Sequence, residues 1–423
     1  MKGKLKTSLG CLALLALATL VACSRALLSA TPGLVESLPP TDLTVSLESS
    51  PGPAGESIRP SSTATQTPLP SPTGTASPTP SPTLIPSPTP TSWPISLEYG
   101  PWDHVTSLAW AGEGDLLAAG VGRRVYLYDP LKLDQPVILD TAGWATSLSF
   151  SPSLRGVYPV RRLLAVSLRD GSVQIWDIGA PGDATGSAPL CKLEVHRKGA
   201  NRVAFSPDGL TLATTGNDAM VRLWNMAELL SEGSCKLELV AEMIGGARSV
   251  PDLQYHPGGQ MLASVDLAAV RLRDVFTQRL VTTLRAEEML RTISFNAQGE
   301  LLAAAGVGDL VYVWDVTTSE LRYSLRLAPP RPEAASAFVW DLAFSPQEDL
   351  LAAATSDGRV HFWRVGQQDD QFAEGAYFPL QVVDAQRRAV TCLAFSPDGQ
   401  TLVSGSLDAS LRFWLLAELF EDQ

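Results

Sequence analysis

The chain has no basic run, no apolar stretch of the roughly 20 residues that a membrane-spanning helix needs, and only four histidines and five cysteines in 423 residues. Lys and Arg number 32 against 44 Asp and Glu, a formal net charge of −12. Such a surface repels phosphate backbones and anionic headgroups, so sequence-independent nucleic-acid binding is disfavoured. His104, His196, His256 and His361 lie far apart, and no cysteine spacing fits a zinc or haem motif. No metal or other cofactor is therefore expected. A Gly-x-Ser-x-Gly elbow, a phosphate loop and a His-Glu-x-x-His pair are all missing. No catalytic residue can be named, and the chain reads as a non-enzyme.

What is present begins with an address. Met1 to Thr7 carries three lysines, and Leu9 to Ala22 follows as a short apolar run, the pattern of a signal peptide. Leu20-Val21-Ala22-Cys23 resembles the lipobox of bacterial lipoproteins. The resemblance implies cleavage before Cys23, acylation there, and anchoring to a bacterial membrane outside the cytoplasm, the outer one where the envelope has two. An acylated cysteine carries two or more chains, enough for stable anchoring at about 0.8 kcal/mol per buried CH₂. Loss of residues 1–22 removes Lys2, Lys4 and Lys6 and takes the charge from −12 to −15.

Residues 23–93 read as the attachment cysteine and a tether. Between Ser49 and Ser92, 12 of 44 residues are Pro and 19 are Ser or Thr, so there is almost nothing to bury. Polyproline-II character at about 3.1 Å per residue gives a spacer on the order of 100 Å. Composition leaves glycosylation of the hydroxyl residues open.

Residues 94–423 repeat. Val203-Ala-Phe-Ser-Pro-Asp-Gly209 and Leu393-Ala-Phe-Ser-Pro-Asp-Gly399 are the clearest copies, with partial copies at Leu342, Leu148, Leu108, Leu253 and Ile293. Each alternates apolar and polar residues and then meets Pro, Asp or Gly, as a strand entering a tight turn does. A second strand follows, and a third ends in Trp176, Trp224, Trp314, Trp363 or Trp414, with Tyr128 and Arg273 at the same place in copies one and four. The mean spacing of these seven anchors is about 48 residues.

These copies resemble the WD-repeat (Trp-Asp repeat) propellers. The resemblance implies an all-β, seven-bladed β-propeller of four-stranded antiparallel blades, with excess length in loops such as Leu154 to Val160 and Gln367 to Tyr377. After Trp414 no fourth strand is evident, whereas residues 95–99 alternate. They are expected to pair outside Ser410 to Leu415 and close the ring. A family set of His, Asp and Trp carries over whole only in blade three, as His196, Asp218 and Trp224. Asp170 with Trp176, Asp357 with Trp363 and Asp408 with Trp414 keep part of it as turn-fixing structural groups. Blade seven has Gln386 and blade six Ala335 in place of the histidine, and the losses leave the regularity of blades one, four and five open.

Cys191 and Cys235, in Cys-Lys-Leu-Glu-Val and Cys-Lys-Leu-Glu-Leu, are placed at equivalent points on the outer strands of successive blades. That implies a separation of roughly 15–20 Å, beyond the about 7 Å Cα limit of a disulfide, so both are expected to stay unpaired. Cys392 is expected as a buried thiol, and Cys11 leaves with the leader.

Binding is then the function to look for. In such propellers the turns before the first strand and between the second and third surround one mouth of the channel. Those turns hold Trp102, His104, Trp144, Asn201, Arg291, Phe338 and Trp340, and aromatics with Arg are the usual interface anchors. Packing between blades is the competing reading for Trp144 and Phe338. The expectation is a lipid-tethered, monomeric scaffold for an unidentified protein or peptide. The alternative is an enzyme or a small-molecule or carbohydrate receptor with its site in the channel. Convergent carboxylates or a histidine pair would mark the second reading, and a broad apolar rim the first.

Overall fold

The computed structural model describes residues 96–99, 103–152, 162–179, 188–232, 235–330, 337–366 and 377–420. The leader, Cys23, the tether, Ile95, Trp102, Ala335 and most of the two long insertions lie outside them. Within them the strands form seven four-stranded antiparallel sheets, each a blade of one propeller. The inner strands, in order, are Val105–Trp110, Ala145–Phe150, Ala200–Phe205, Leu253–Tyr255, Leu290–Phe295, Val339–Phe344 and Val390–Phe395. Blades one, four and five are complete despite lacking the His-Asp-Trp set.

The repeated residues explain the repeated geometry. At the Ser-Pro-Asp-Gly turn of blade three, the Thr211 amide donates to Ser206 Oγ and the Leu210 amide to Asp208 Oδ1. Gly209 sits at φ +69°, a left-handed conformation that costs glycine little. Each second strand is flanked by two other strands and covered by neighbouring blades on both faces, so it reads as a continuous apolar run. Leu301–Gly306 and Leu350–Thr355 are buried at every residue. Small residues dominate there because blades converge towards the axis. A Cβ on Gly306 would lie 2.2 Å from the Met289 carbonyl oxygen, so only glycine fits.

Adjacent blades share apolar cores. Leu163, Ile175 and Cys191 of blade two meet Val203, Phe205 and Leu212 of blade three. Each such side chain contributes about 1.5–3 kcal/mol when fully buried. Ring closure follows the sequence expectation: Ser96–Glu98 pairs antiparallel with Ser410–Leu415, Leu97 opposite Leu411. The last sheet therefore holds both ends of the propeller, and a short helix, Leu416–Leu419, follows.

The cysteines require a correction. Cys191 and Cys235 form a disulfide with Cα atoms 5.1 Å apart. Their shared Cys-Lys-Leu-Glu context is misleading, because strand register sets position. Cys191 lies opposite Ile175, and the residue opposite the corresponding Leu223 is Ala241, six residues beyond Cys235. Between Asn225 and the outer strand Glu238–Ile244, blade three inserts a helix, Ala227–Glu232. This insertion carries Cys235 back to blade two, beside the Lys192 carbonyl. Cys392 is a buried free thiol, as expected.

Candidate functional site

The mouth of the channel is built from one residue per blade. In blades one, two, three, five, six and seven the inner-strand register skips its second residue, a β-bulge that frees Thr106, Thr146, Asn201, Arg291, Trp340 and Thr391 from the ladder. Blade four has Pro251 there, which has no N–H to give. All seven line one cavity of about 560 Å³, together with Trp144, Arg169, Asn217, Ser249 and Leu407.

Four of the seven act as stitches. Thr106 Oγ1 donates to the Ala145 carbonyl, Thr146 Oγ1 to Ala200, Asn201 Nδ2 to Val250 and Thr391 Oγ1 to Val105, each time the first inner residue of the next blade. Distances run from 2.6 to 3.0 Å. Asn217 and Ser249 extend the Asn201 network. These polar groups are therefore committed to holding the ring.

Pro251, Arg291 and Trp340 make no such stitch among the described residues. Instead the Arg291 guanidinium lies 4.0 Å over the Trp340 ring, and Trp340 Nε1 is buried without a hydrogen-bond partner. Among the described residues no Asp or Glu lines the cavity. Burial and the Arg202 charge beneath it lower the Arg291 guanidinium from its usual value, with Asp341 and Asp252 opposing, and it remains cationic at neutral pH.

One residue below the mouth, Arg202 closes the channel. Its Nε lies 2.8 Å from Asp252 Oδ1, and an Nη lies 3.3 Å from Asp341 Oδ1, joining blades three, four and six across the axis. Burial alone would lower the Arg202 guanidinium, but the two carboxylates outweigh it and raise it. Asp252 and Asp341 converge, the feature that would mark an enzyme, yet both are spoken for. Asp252 Oδ2 accepts the Ile293 amide, and Asp341 Oδ2 accepts the Leu393 amide. Both thereby act as structural acceptors, and burial raises the Asp341 carboxyl above its usual value.

The structure brings Trp144, Asn201, Arg291 and Trp340 together at the cavity, with Trp144 40% exposed. His104 stands at the ring seam, where its Nδ1–H donates to the Leu407 carbonyl at 2.8 Å. Phe338 touches Trp340, ring centres 5.6 Å apart, but lines a neighbouring cleft. In blade three, His196 Nδ1 lies 2.8 Å from Asp218 Oδ1 and 2.7 Å from Arg222 Nη1, and the Thr214 hydroxyl links His196 Nε2 to Trp224 Nε1–H. Asp170, Asp357 and Asp408 each accept bonds within their own turns, from Ser172, Thr355 and Ser410.

Thr214 escaped the sequence reading, although comparison of the copies could have found it. Blade seven has Ser404 at that place, bonding Trp414 Nε1 at 3.0 Å. Blades two and six have Val166 and Ala353, and there Trp176 Nε1 and Trp363 Nε1 are buried without a partner. His361, in blade six, is fully buried and stacks on Trp363.

Known proteins resemble this chain in sequence. The family model described as WD domain, G-beta repeat, matches residues 187–225, 332–364 and 378–414. The chain is 27% identical over 232 residues to the Periodic tryptophan protein 2 homolog of Dictyostelium discoideum, 53% of this chain but 22% of that protein. It is 22% identical over 319 residues to a Guanine nucleotide-binding protein subunit beta of Oryza sativa subsp. japonica, 73% of this chain and 80% of that one. It is 22% identical over 251 residues to the Serine-threonine kinase receptor-associated protein of Mus musculus, 59% of this chain and 62% of that protein. The chain thus spans about a fifth of the first of these relatives. The matches support a WD-repeat propeller.

Proposed function

We propose that this WD-repeat propeller is a lipid-anchored scaffold outside the cytoplasm, holding a protein or peptide at the mouth described above. The observation that carries the reading is the Arg291–Trp340 pair: a cation and an aromatic, unbound to the ring, facing a cavity that no acid lines. Membrane anchoring is read from the lipobox at Cys23. The Cys191–Cys235 disulfide supports an oxidising compartment, since such bonds are rare where glutathione keeps thiols reduced. The relatives' names, a subunit and a receptor-associated protein, describe proteins that work in company.

Two experiments test the reading. Metabolic labelling with a radiolabelled fatty acid is expected to mark the chain and to fail in Cys23→Ser. Partners that co-purify from membranes are expected to be lost when Trp144, Phe338 and Trp340 are changed stepwise to Ala. Full retention of every partner by the triple variant would eliminate this face.

A further inference from the structure

We propose that the part of the mouth over blades four to six takes an extended acidic segment of a partner protein, with a carboxylate on Arg291 and a neighbouring apolar side chain in the cleft between blades five and six. The proposal deepens the scaffold reading and rests on it.

Arg291 is the carboxylate receptor because it makes no ion pair among the described residues: Asp252 and Asp341 attract it from a distance, but both are paired with Arg202. The stack on Trp340 occupies the face of the guanidinium, and its N–H edges remain free. In a chain of net charge −12, a cavity lined by Arg169, Arg202 and Arg291 and by no acid among the described residues, with Arg202 alone paired to carboxylates beneath it, favours anionic groups.

The apolar subsite lies one ring away. Phe338, in contact with Trp340, forms a wall of a second cavity of about 620 Å³ with Val307, Leu327, Pro329 and Phe378. The two acids at its rim are engaged: Asp309 with Arg326 and Glu288 with the Leu310 amide. What remains open is apolar. The outer wall is held by a strap, in which Tyr377 bridges to Leu325 of blade five and packs edge-on against Tyr323. This fixes Phe378, 58% exposed, at the cleft.

The same sector carries an exposed apolar ridge. Backbone bonds from Leu290 to Leu267 and from Val307 to Met289 set those turns side by side. Leu267, Met289 and Val307 are 41%, 54% and 58% exposed. A cation beside an apolar cleft and ridge suits a strand-like peptide that alternates the two chemistries.

The test uses the purified full-length chain and an array of octapeptides in which one Asp or Glu and one Leu, Met or Phe are moved independently. Retained peptides are expected to hold the two types within three residues of each other. By fluorescence anisotropy, exchanging the peptide's Asp for Asn should weaken binding about tenfold, as loss of a charge-assisted bond does. Arg291→Gln should erase that tenfold preference, and Arg291→Lys should restore part of it. Val307→Asp with Phe378→Asp should instead erase the apolar preference and keep the acidic one.

Three results would overturn the proposal. They are indifference to the Asp exchange, an unchanged preference in Arg291→Gln, and no peptide bound more tightly than about 100 μM. Self-association in sedimentation that Val307→Asp abolishes would assign the sector to a second copy of this chain, also against the proposal. If the Trp144, Phe338, Trp340 variant loses membrane partners while Arg291→Gln and the Val307, Phe378 variant keep them, the scaffold reading stands and the acidic segment falls. Partner retention by all three removes both.

Discussion

The two arcs of the propeller mouth use the same backbone position for opposite purposes. In blades one, two, three and seven the bulged residue is Thr or Asn and spends its side chain on the next blade. In blades four, five and six it is Pro, Arg or Trp and makes no such bond among the described residues. A symmetric ring needs every seam closed, so the open arc must be held by something else. The difference teaches where a repeat has been released from structure: at the copies that break its polar pattern.

The largest effect is expected at the device that ties the open arc across the axis. Arg202→Leu leaves Asp252 and Asp341 buried together without their cation, a change that costs about 3–5 kcal/mol. Urea denaturation measures it, and a loss below about 1 kcal/mol would mean that the open arc needs no cross-link. Next comes the closed arc's own covalent tie. Cys235→Ser opens a bridge of sequence separation 44 and is expected to cost about 2–4 kcal/mol. Peptide binding at Arg291 should be untouched; a parallel loss of binding would show that the two arcs are not independent.

A pH titration separates blade three from blade six. Burial, with Arg359 nearby and Asp357 opposing, pushes the His361 imidazole down to about 3. The unfolded chain binds a proton below about pH 6.5 that the folded chain refuses, so stability is full above that pH and falls as pH drops towards 3. The slope is about 1.4 kcal/mol per pH unit and should be absent from His361→Leu, so that the difference between wild type and variant carries it. His196 is lowered mainly by burial as well, but Asp218 pulls it back up, so His196→Gln should change the slope less. Equal slopes would erase the contrast between the two blades. A smaller gain is expected in blade two. Val166→Thr places a hydroxyl opposite Gln174, where it can accept from Trp176 Nε1 and donate to Gln174 Oε1, both unpartnered. Completing the bonds of blade three in this way should add about 1 kcal/mol in urea denaturation.

The repeats made the blades legible because each Ser-Pro-Asp-Gly turn and terminal tryptophan states a local geometry that any neighbour can use. Ring closure was legible for the same reason: one strand was missing at the end and spare at the start. The site was less so. Arg291 and Trp340 stand in the right turns, but nothing in their spacing says that a bulge aims them at one cavity. Arg202, Asp252 and Asp341 are up to 139 residues apart and meet only because the blades form a ring. The disulfide is not legible because the shared tetrapeptide implies a shared register, whereas an inserted helix moves one copy by six residues.

The smallest predicted effect bears most directly on the comparison. If the open arc is a ring position given over to binding, putting the closed arc's residue back should restore the seam. Arg291→Thr places a hydroxyl where Thr146 has one, and its acceptor would be the Val339 carbonyl, the first inner residue of blade six. One exposed-edge hydrogen bond is gained and a cation–π contact of similar size is lost. Removing a desolvated cation from beside Arg202 tips the balance. The net expectation is about 0.5 kcal/mol of added stability in urea denaturation together with lost binding, the usual exchange at a site kept for function. Destabilisation by more than about 1 kcal/mol would instead make the Arg291–Trp340 stack a seam of another kind, and the two arcs would then differ only in the chemistry of their closure.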